Sequence, residues 1–165
     1  MISLKDIKNN IFKKENFYFL IIIILTFSID RYSKIKIINN FSDTRFYLND
    51  FLNLDLLWNT GIGFGLLSLE NSIYYNFLSI LIGLVIVLLI FVGIKSNKFE
   101  KFFFSMIIGG ALGNFYDRIY FNAVPDFIDL HYKNFHWFTF NIADIFITSG
   151  IIFFIVGGFL EKNKI

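Results

Sequence analysis

The sequence predicts an all-α membrane protein: a four-transmembrane-helix bundle, both termini cytoplasmic, with a small extracytoplasmic β-hairpin or sheet between spans one and two. Three observations predict it. Four long apolar runs are separated by polar segments, and a bilayer core takes ~20 helical residues. The composition is 56% hydrophobic with a net charge of only +2, which argues against a soluble domain or a nucleic-acid binder. Basic residues gather at the N-terminus, at 95–101 and at 162–164, so the positive-inside rule puts those three places on the cytoplasmic side. One membrane-embedded domain, 1–165, accounts for the whole length. The chain has no cysteine, which removes thiol nucleophiles, disulfides and Cys-based metal sites.

The first span follows a polar segment carrying Lys5, Lys8, Lys13 and Lys14, and its apolar run is Phe17 to Ile29. This resembles the start of a secretory signal, but Asp30, Arg31 and Tyr32 stand where a cleavage site needs small residues. An uncleaved span over 17–36 is therefore expected, with Asp30 in the outer third of the bilayer. An intramembrane carboxylate usually faces a partner or a polar cavity; the competing view makes Asp30 an interfacial residue marking the helix end, and the two stand level.

Residues 39–69 form the longest non-helical segment, and R-F-Y-L-N-D-F-L-N-L-D-L alternates around Asn49-Asp50 as an amphipathic hairpin does. It cannot cross a bilayer as an open edge, so it is expected on the outer surface, its apolar face receiving an acyl chain or covering the bundle. The glycines of W-N-T-G-I-G-F-G allow close backbone approach, or form an ordinary turn. The second span, 72–94, has no charged residue. In the third, 102–121, Gly110, Gly113, Asn114 and Asp117 share one face and Gly109 and Gly113 make a small-xxx-small contact pattern. A loop from Asn122 to Trp137 carries Asp126 and Asp129, and a fourth span, 138–160, places Asn141, Asp144 and Thr148 on one face near its start.

With this topology Asp30, Asn59, Asn114, Asp117, Arg118, Asn141 and Asp144 converge at the outer leaflet, beneath the loop of Asp126 and Asp129. The cluster is rich in carboxylates and amides and lacks a Ser or Thr beside a His base, so hydrolysis by an aspartate pair fits best. Two close carboxylates share one proton: one activates water, and the other polarises the carbonyl. Asp144 is the first member, and its mate is Asp117, Asp126 or Asp129. A guanidinium beside Asp117, that of Arg118, suits a permanently ionised role. Asp126 is the freest to titrate, aimed by Pro125, and Asp129 reads as solvated. His131 and His136 could bind zinc with Asp129, but H-x4-H lacks the spacing of a helical metal motif; no metal and no cofactor are expected.

N-T-G-I-G-F-G, G-G-A-L-G-N-F-Y-D-R, V-P-D-F-I-D and F-N-I-A-D, in that order across four spans, closely resemble the bacterial lipoprotein signal peptidases (signal peptidase II). The resemblance implies a multi-pass aspartic endopeptidase of the inner membrane with its site at the periplasmic face. It implies cleavage of prolipoproteins just before their diacylglyceryl-modified cysteine, and inhibition by the cyclic peptide globomycin. It assigns the catalytic pair to Asp126 and Asp144. Substrate-contacting or site-ordering roles go to Asn59, Asn114, Arg118 and Asn141, with Asp117 supporting a helix end. Asp30 and Lys34 resemble the family's D-Q-x-T-K signature in part, with Arg31 for Gln and Ser33 for Thr; Gly63 stands where Ala is common. Membrane lipid is an expected partner, nucleic acid is not, and a monomer is expected because all site residues come from one chain. The hairpin from Arg45 to Trp58 is expected to act as a lid that excludes water.

Two other classes of function compete. A small proton- or ion-coupled transporter also carries intramembrane carboxylates, but its site belongs near the midplane between repeats, and neither a cytoplasmic relay nor a repeat is visible. A structural scaffold would use its polar residues only as helix caps.

Overall fold

The computed structural model describes residues 14–41, 44–61 and 72–162. Among these are four helices, α1 (Lys14–Asn40), α2 (Ser72–Lys95), α3 (Lys98–Phe121) and α4 (Ile142–Lys162). One antiparallel sheet, in the order β1-β2-β3-β4, is made of β1 (Phe46–Asn49), β2 (Leu52–Asn59), β3 (Val124–Tyr132) and β4 (Phe135–Phe140). Lys5, Lys8, Lys13 and Lys164 lie outside the described residues, as do Gly63 and the rest of the glycine-rich run after Gly61.

Helix α3 is the centre of the bundle and packs on the other three. Phe19 and Ile23 of α1 meet Phe104 and Ile108 of α3 in a core that Leu89, Ile90 and Ile94 of α2 complete. The glycine face of α3 sets how closely its neighbours approach. A Cβ on Gly109 would collide with Thr26 and one on Gly113 with Asp30, both on α1; one on Gly110 would sit 2.6 Å from the Ala143 carbonyl oxygen of α4. The small-xxx-small pair therefore faces α1, and Gly110 receives the start of α4.

The helix ends are closed by side chains. Asn97 and Glu100 form a reciprocal capping box at the start of α3. The Lys101 ammonium, itself buried, donates to the carbonyls of Gly93 at 3.1 Å, Ile94 at 2.5 Å and Ser96 at 2.9 Å. This cation thus satisfies the last carbonyls of α2, where the helix dipole favours it. Asn122 ends α3 in the left-handed region, at φ 55°. Ile73–Lys95 and Ile142–Phe159 are each long and apolar enough to cross a membrane, with few residues buried inside the protein.

The first hairpin forms where the alternation places it. Asn49 Oδ1 accepts from the backbone N–H of Phe51 and Leu52, closing the turn over Asp50 and Phe51. The segment expected as a loop from Asn122 to Trp137 is instead a second hairpin, β3 and β4, which turns at Lys133 with φ 54°. Residues 138–140 are accordingly strand rather than helix, α4 starting at Ile142. Helix α1 runs further than expected at both ends. Because β2 pairs with β3 from Leu52↔Leu130 to Asn59↔Val124, the first hairpin is hydrogen-bonded into the strand that carries Asp126.

Candidate active site

Two elements deliver the carboxylates at the centre of the site. Asp126 is the third residue of β3, a strand flanked on both sides and buried from Val124 to Phe127. Asp144 lies in the first turn of α4. Both line a cavity of about 290 Å³ together with Asn59, Asn114 and Arg118, walled by Ile82 of α2, Ala111 of α3 and Ile147 and Thr148 of α4.

Asn141 is the hinge of this arrangement. Its Oδ1 accepts from the Asp144 N–H at 3.1 Å, and the Asp144 carboxylate accepts from the Asn141 N–H at 3.1 Å. That reciprocity is a capping box at the start of α4, so the conformation of Asp144 is fixed by the same contacts that begin the helix. The amide Nδ2 of Asn141 remains to donate to Asp126 Oδ1 at 2.6 Å. One side chain thereby spaces the two carboxylates. Asn59 Nδ2 donates to the other Asp126 oxygen at 2.8 Å, with its own Oδ1 held by the Gly61 N–H.

Asp126 is 2% exposed. Its pKa is pushed up to about 6, first by burial and next by the charge of Asp144, against the opposing hydrogen bonds of Asn59 and Asn141. The pair is therefore built to hold a proton that an isolated carboxylate would release.

Behind the cavity lies a second layer of charge. Lys34 directs its ammonium to Asp30 at 2.9 Å, Asp117 at 2.7 Å and Asn114 Oδ1 at 2.7 Å. It donates to Asp117 and Asn114 and forms an ion pair with Asp30. Accepting from Lys34 orients the Asn114 amide, whose Nδ2 donates to Asp144 Oδ1 at 2.8 Å. Asp30 also accepts from the Ala143 N–H at 3.0 Å, satisfying an orphan donor of α4 beside Asp144. Asp30 is fully buried; it faces partners and does not mark an interface.

All nine residues expected at the site are brought together. Asp117 differs in its partner: the guanidinium beside it is that of Arg31, at 2.6 Å, while Arg118 donates to the Gly61 carbonyl at 2.6 Å. Asp129 is 3% exposed rather than solvated; it pairs with His136 Nδ1 at 2.8 Å and accepts from Asn53 Nδ2 at 3.2 Å. Those contacts leave Asp126, of the three candidates, as the carboxylate that shares the cavity with Asp144. Arg31 is not among the residues expected at the site; the signal for it is a cation directly beside the buried Asp30.

The family model described as signal peptidase (SPase) II matches residues 22–160. The chain belongs to the signal peptidase II family. It is 49% identical over 154 residues to a lipoprotein signal peptidase of Pelagibacter ubique, covering 91% of this chain and 93% of that one. It is 40% identical over 121 residues to the lipoprotein signal peptidase of Francisella tularensis subsp. novicida, covering 71% and 75%. Among solved structures it superposes on a bacterial membrane enzyme determined in meso, with a TM-score of 0.71 at 30% identity over 88% of this chain and 89% of that one. As a signal peptidase II this membrane protein is an aspartic peptidase.

Proposed function

We propose that this signal peptidase II removes the signal peptide of prolipoproteins by hydrolysing the peptide bond just before a diacylglyceryl-modified cysteine, with Asp126 and Asp144 as the catalytic pair. The observation that carries the proposal is the cavity itself: two carboxylates from different elements face it, braced by three asparagines, and one is held protonated up to about pH 6. The curated relatives in Pelagibacter and Francisella are named lipoprotein signal peptidases, which supports the choice of substrate.

The pair shares one proton. The ionised carboxylate takes a proton from water as its oxygen attacks the scissile carbonyl, and the protonated partner gives its proton to the carbonyl oxygen. The tetrahedral intermediate then collapses. The carbon–nitrogen bond breaks as the cysteine nitrogen takes the proton of the pair and leaves as the amine, while one hydroxyl of the intermediate returns its proton to the pair as the carbonyl re-forms and the signal peptide leaves as the acid. Atoms balance with one water consumed, and the pair returns to its one-proton state. Asn59, Asn114 and Asn141 keep the carboxylates apart and oriented while the proton moves between them. Arg118, on the same cavity wall, is suited to a carbonyl of the substrate.

The same proposal includes the topology: four spans built on α1 to α4, both termini in the cytoplasm, the sheet and the pair at the periplasmic face of the inner membrane, and one chain as the working unit. The outer ends of α1 and α3 meet the start of α4 through Asp30, Asp117 and Ala143, which supports one common depth for the site.

The test is cleavage of a diacylglyceryl-modified prolipoprotein by purified protein. Asp126→Asn and Asp144→Asn should each lower the rate by about a thousandfold or more, the scale of losing a group from a concerted catalytic set, with the fold intact by circular dichroism. Asp129→Asn should retain activity. Full activity in Asp126→Asn, or an inactive Asp129→Asn that is well folded, would overturn the assignment.

A further inference from the structure

The charged layer behind Asn114 balances only because of one residue. Lys34 stands between two carboxylates, Asp30 and Asp117, and one ammonium cannot neutralise both. Arg31 supplies the missing charge. Its Nη1 lies 2.6 Å from Asp117 Oδ1, its Nη2 3.7 Å from Asp30 Oδ2, and its side chain is 12% exposed. The ring of Tyr116 lies 4.9 Å from the guanidinium carbon and holds it there.

We propose that Arg31 is a positioning residue for the peptidase reaction, acting on Asp144 through Asp117, Lys34 and Asn114 and on the charge that the catalytic pair experiences. The inference rests on the reading of Asp126 and Asp144 as that pair. With Arg31 in place each Asp117 oxygen has its own cation, so Lys34 can donate to Asn114 as well as to Asp117. Without it, Asp117 carries an uncompensated charge and competes for the Lys34 ammonium. The Asn114 amide then loses the contact that turns its Nδ2 toward Asp144.

The charge count gives the same result. The groups facing the pair are Asp30 and Lys34 from α1, Asp117 and Arg118 from α3, and the phenol of Tyr75 from α2, whose ring lies under Arg118. Counting Asp126 and Asp144, four carboxylates meet three cations when Arg31 is included. The single proton held by the pair makes the cluster neutral. Removing Arg31 leaves a net negative charge, which makes that proton harder to lose.

The experiment compares wild type, Arg31→Gln and Arg31→Lys in cleavage of the lipid-modified prolipoprotein across pH. Arg31→Gln should lower kcat about three- to thirty-fold, the range for a residue acting through a packed network, with KM unchanged. The alkaline limb of its pH profile, through which Asp126 loses its proton, should move to higher pH. Arg31→Lys should restore both. An Arg31→Gln enzyme with a wild-type profile, or equal losses in the Gln and Lys variants, would overturn the inference. Should Arg31→Gln not fold, Tyr116→Leu frees the guanidinium and should move the limb the same way by less; no movement there is equally adverse. A wild type that fails to cleave refutes the peptidase reading itself, whereas a cleaving wild type beside an unaltered Arg31→Gln refutes only the role of Arg31.

Discussion

In the proposed mechanism Asp126 ties stability and activity to the same proton. Its pKa rises from 3.8 to about 6 on folding, so between those values the folded protein binds the proton and the unfolded chain does not. Stability from this group is therefore fully present below about pH 4 and is lost as pH rises through 6. The thermal midpoint of the wild type should fall across that window, and Asp126→Asn, which cannot ionise, should lack that part of the fall. The rate should show an alkaline limb near pH 6, because the pair then surrenders the proton it must donate. Asn141→Ser separates two roles of one side chain. A serine oxygen can still accept from Asp144 N–H as a cap, but no amide remains to donate to Asp126. The variant should fold, cleave slowly and show the limb at higher pH, since the lost hydrogen bond was one that lowered the Asp126 pKa. That these nine residues meet was legible because motifs carry them. Arg31 was not, for a geometric reason: Asp30 and Lys34, four apart, share a face of α1, while the next residue points ~100° away and reaches Asp117 only because its side chain is long.

Among the elements, the first hairpin was readable and the second was not. The first alternates and turns at Asn49-Asp50. The second has a proline as its second residue, runs through buried residues on both faces from Val124 to Phe127, and turns at Lys133 without a glycine. A strand covered on both sides has no polar alternation to betray it, and F-T-F at 138–140 before a helix reads as the start of that helix. Interhelical distance, by contrast, was encoded in the glycines of α3. Gly113→Ala would drive a methyl into Asp30, and Gly110→Ala would place one 2.6 Å from the Ala143 oxygen. Overpacking of this kind costs about 1–3 kcal/mol, and here it also shifts the first turn of α4 that carries Asp144. Both variants should lose thermal stability and activity together. Gly158→Ala, on the outer side of α4 with nothing within 4 Å, is the matched control and should change neither.

For the molecule as a whole, the distribution of polar and apolar surface dictates how it sits in the bilayer. The helices expose large apolar side chains along most of their length, Ile80, Leu84, Leu88 and Phe91 on α2 among them, and a face of that extent is stable only against lipid. Asp30, Arg31 and Lys34 of α1 and Asp117 of α3 are turned inward and paired with one another, as hydrocarbon requires. The sheet cannot share that depth, since its edge strand β1 is exposed throughout and unpaired backbone groups are not tolerated in lipid. In the proposed topology the link between α2 and α3, with Lys95, Lys98 and Lys101 around it, lies on the opposite, cytoplasmic side. Because the chain has no cysteine, single introduced thiols report this directly. In intact cells lacking an outer-membrane barrier, Asn134→Cys at the β3–β4 turn should react with a membrane-impermeant maleimide, and Lys98→Cys at the start of α3 should react only after the membrane is opened. Both positions are exposed at the surface, so a silent thiol means a shielding membrane rather than a buried side chain. The reverse labelling pattern would invert the topology and put the Asp126–Asp144 cavity on the wrong side for a substrate that has already crossed the membrane.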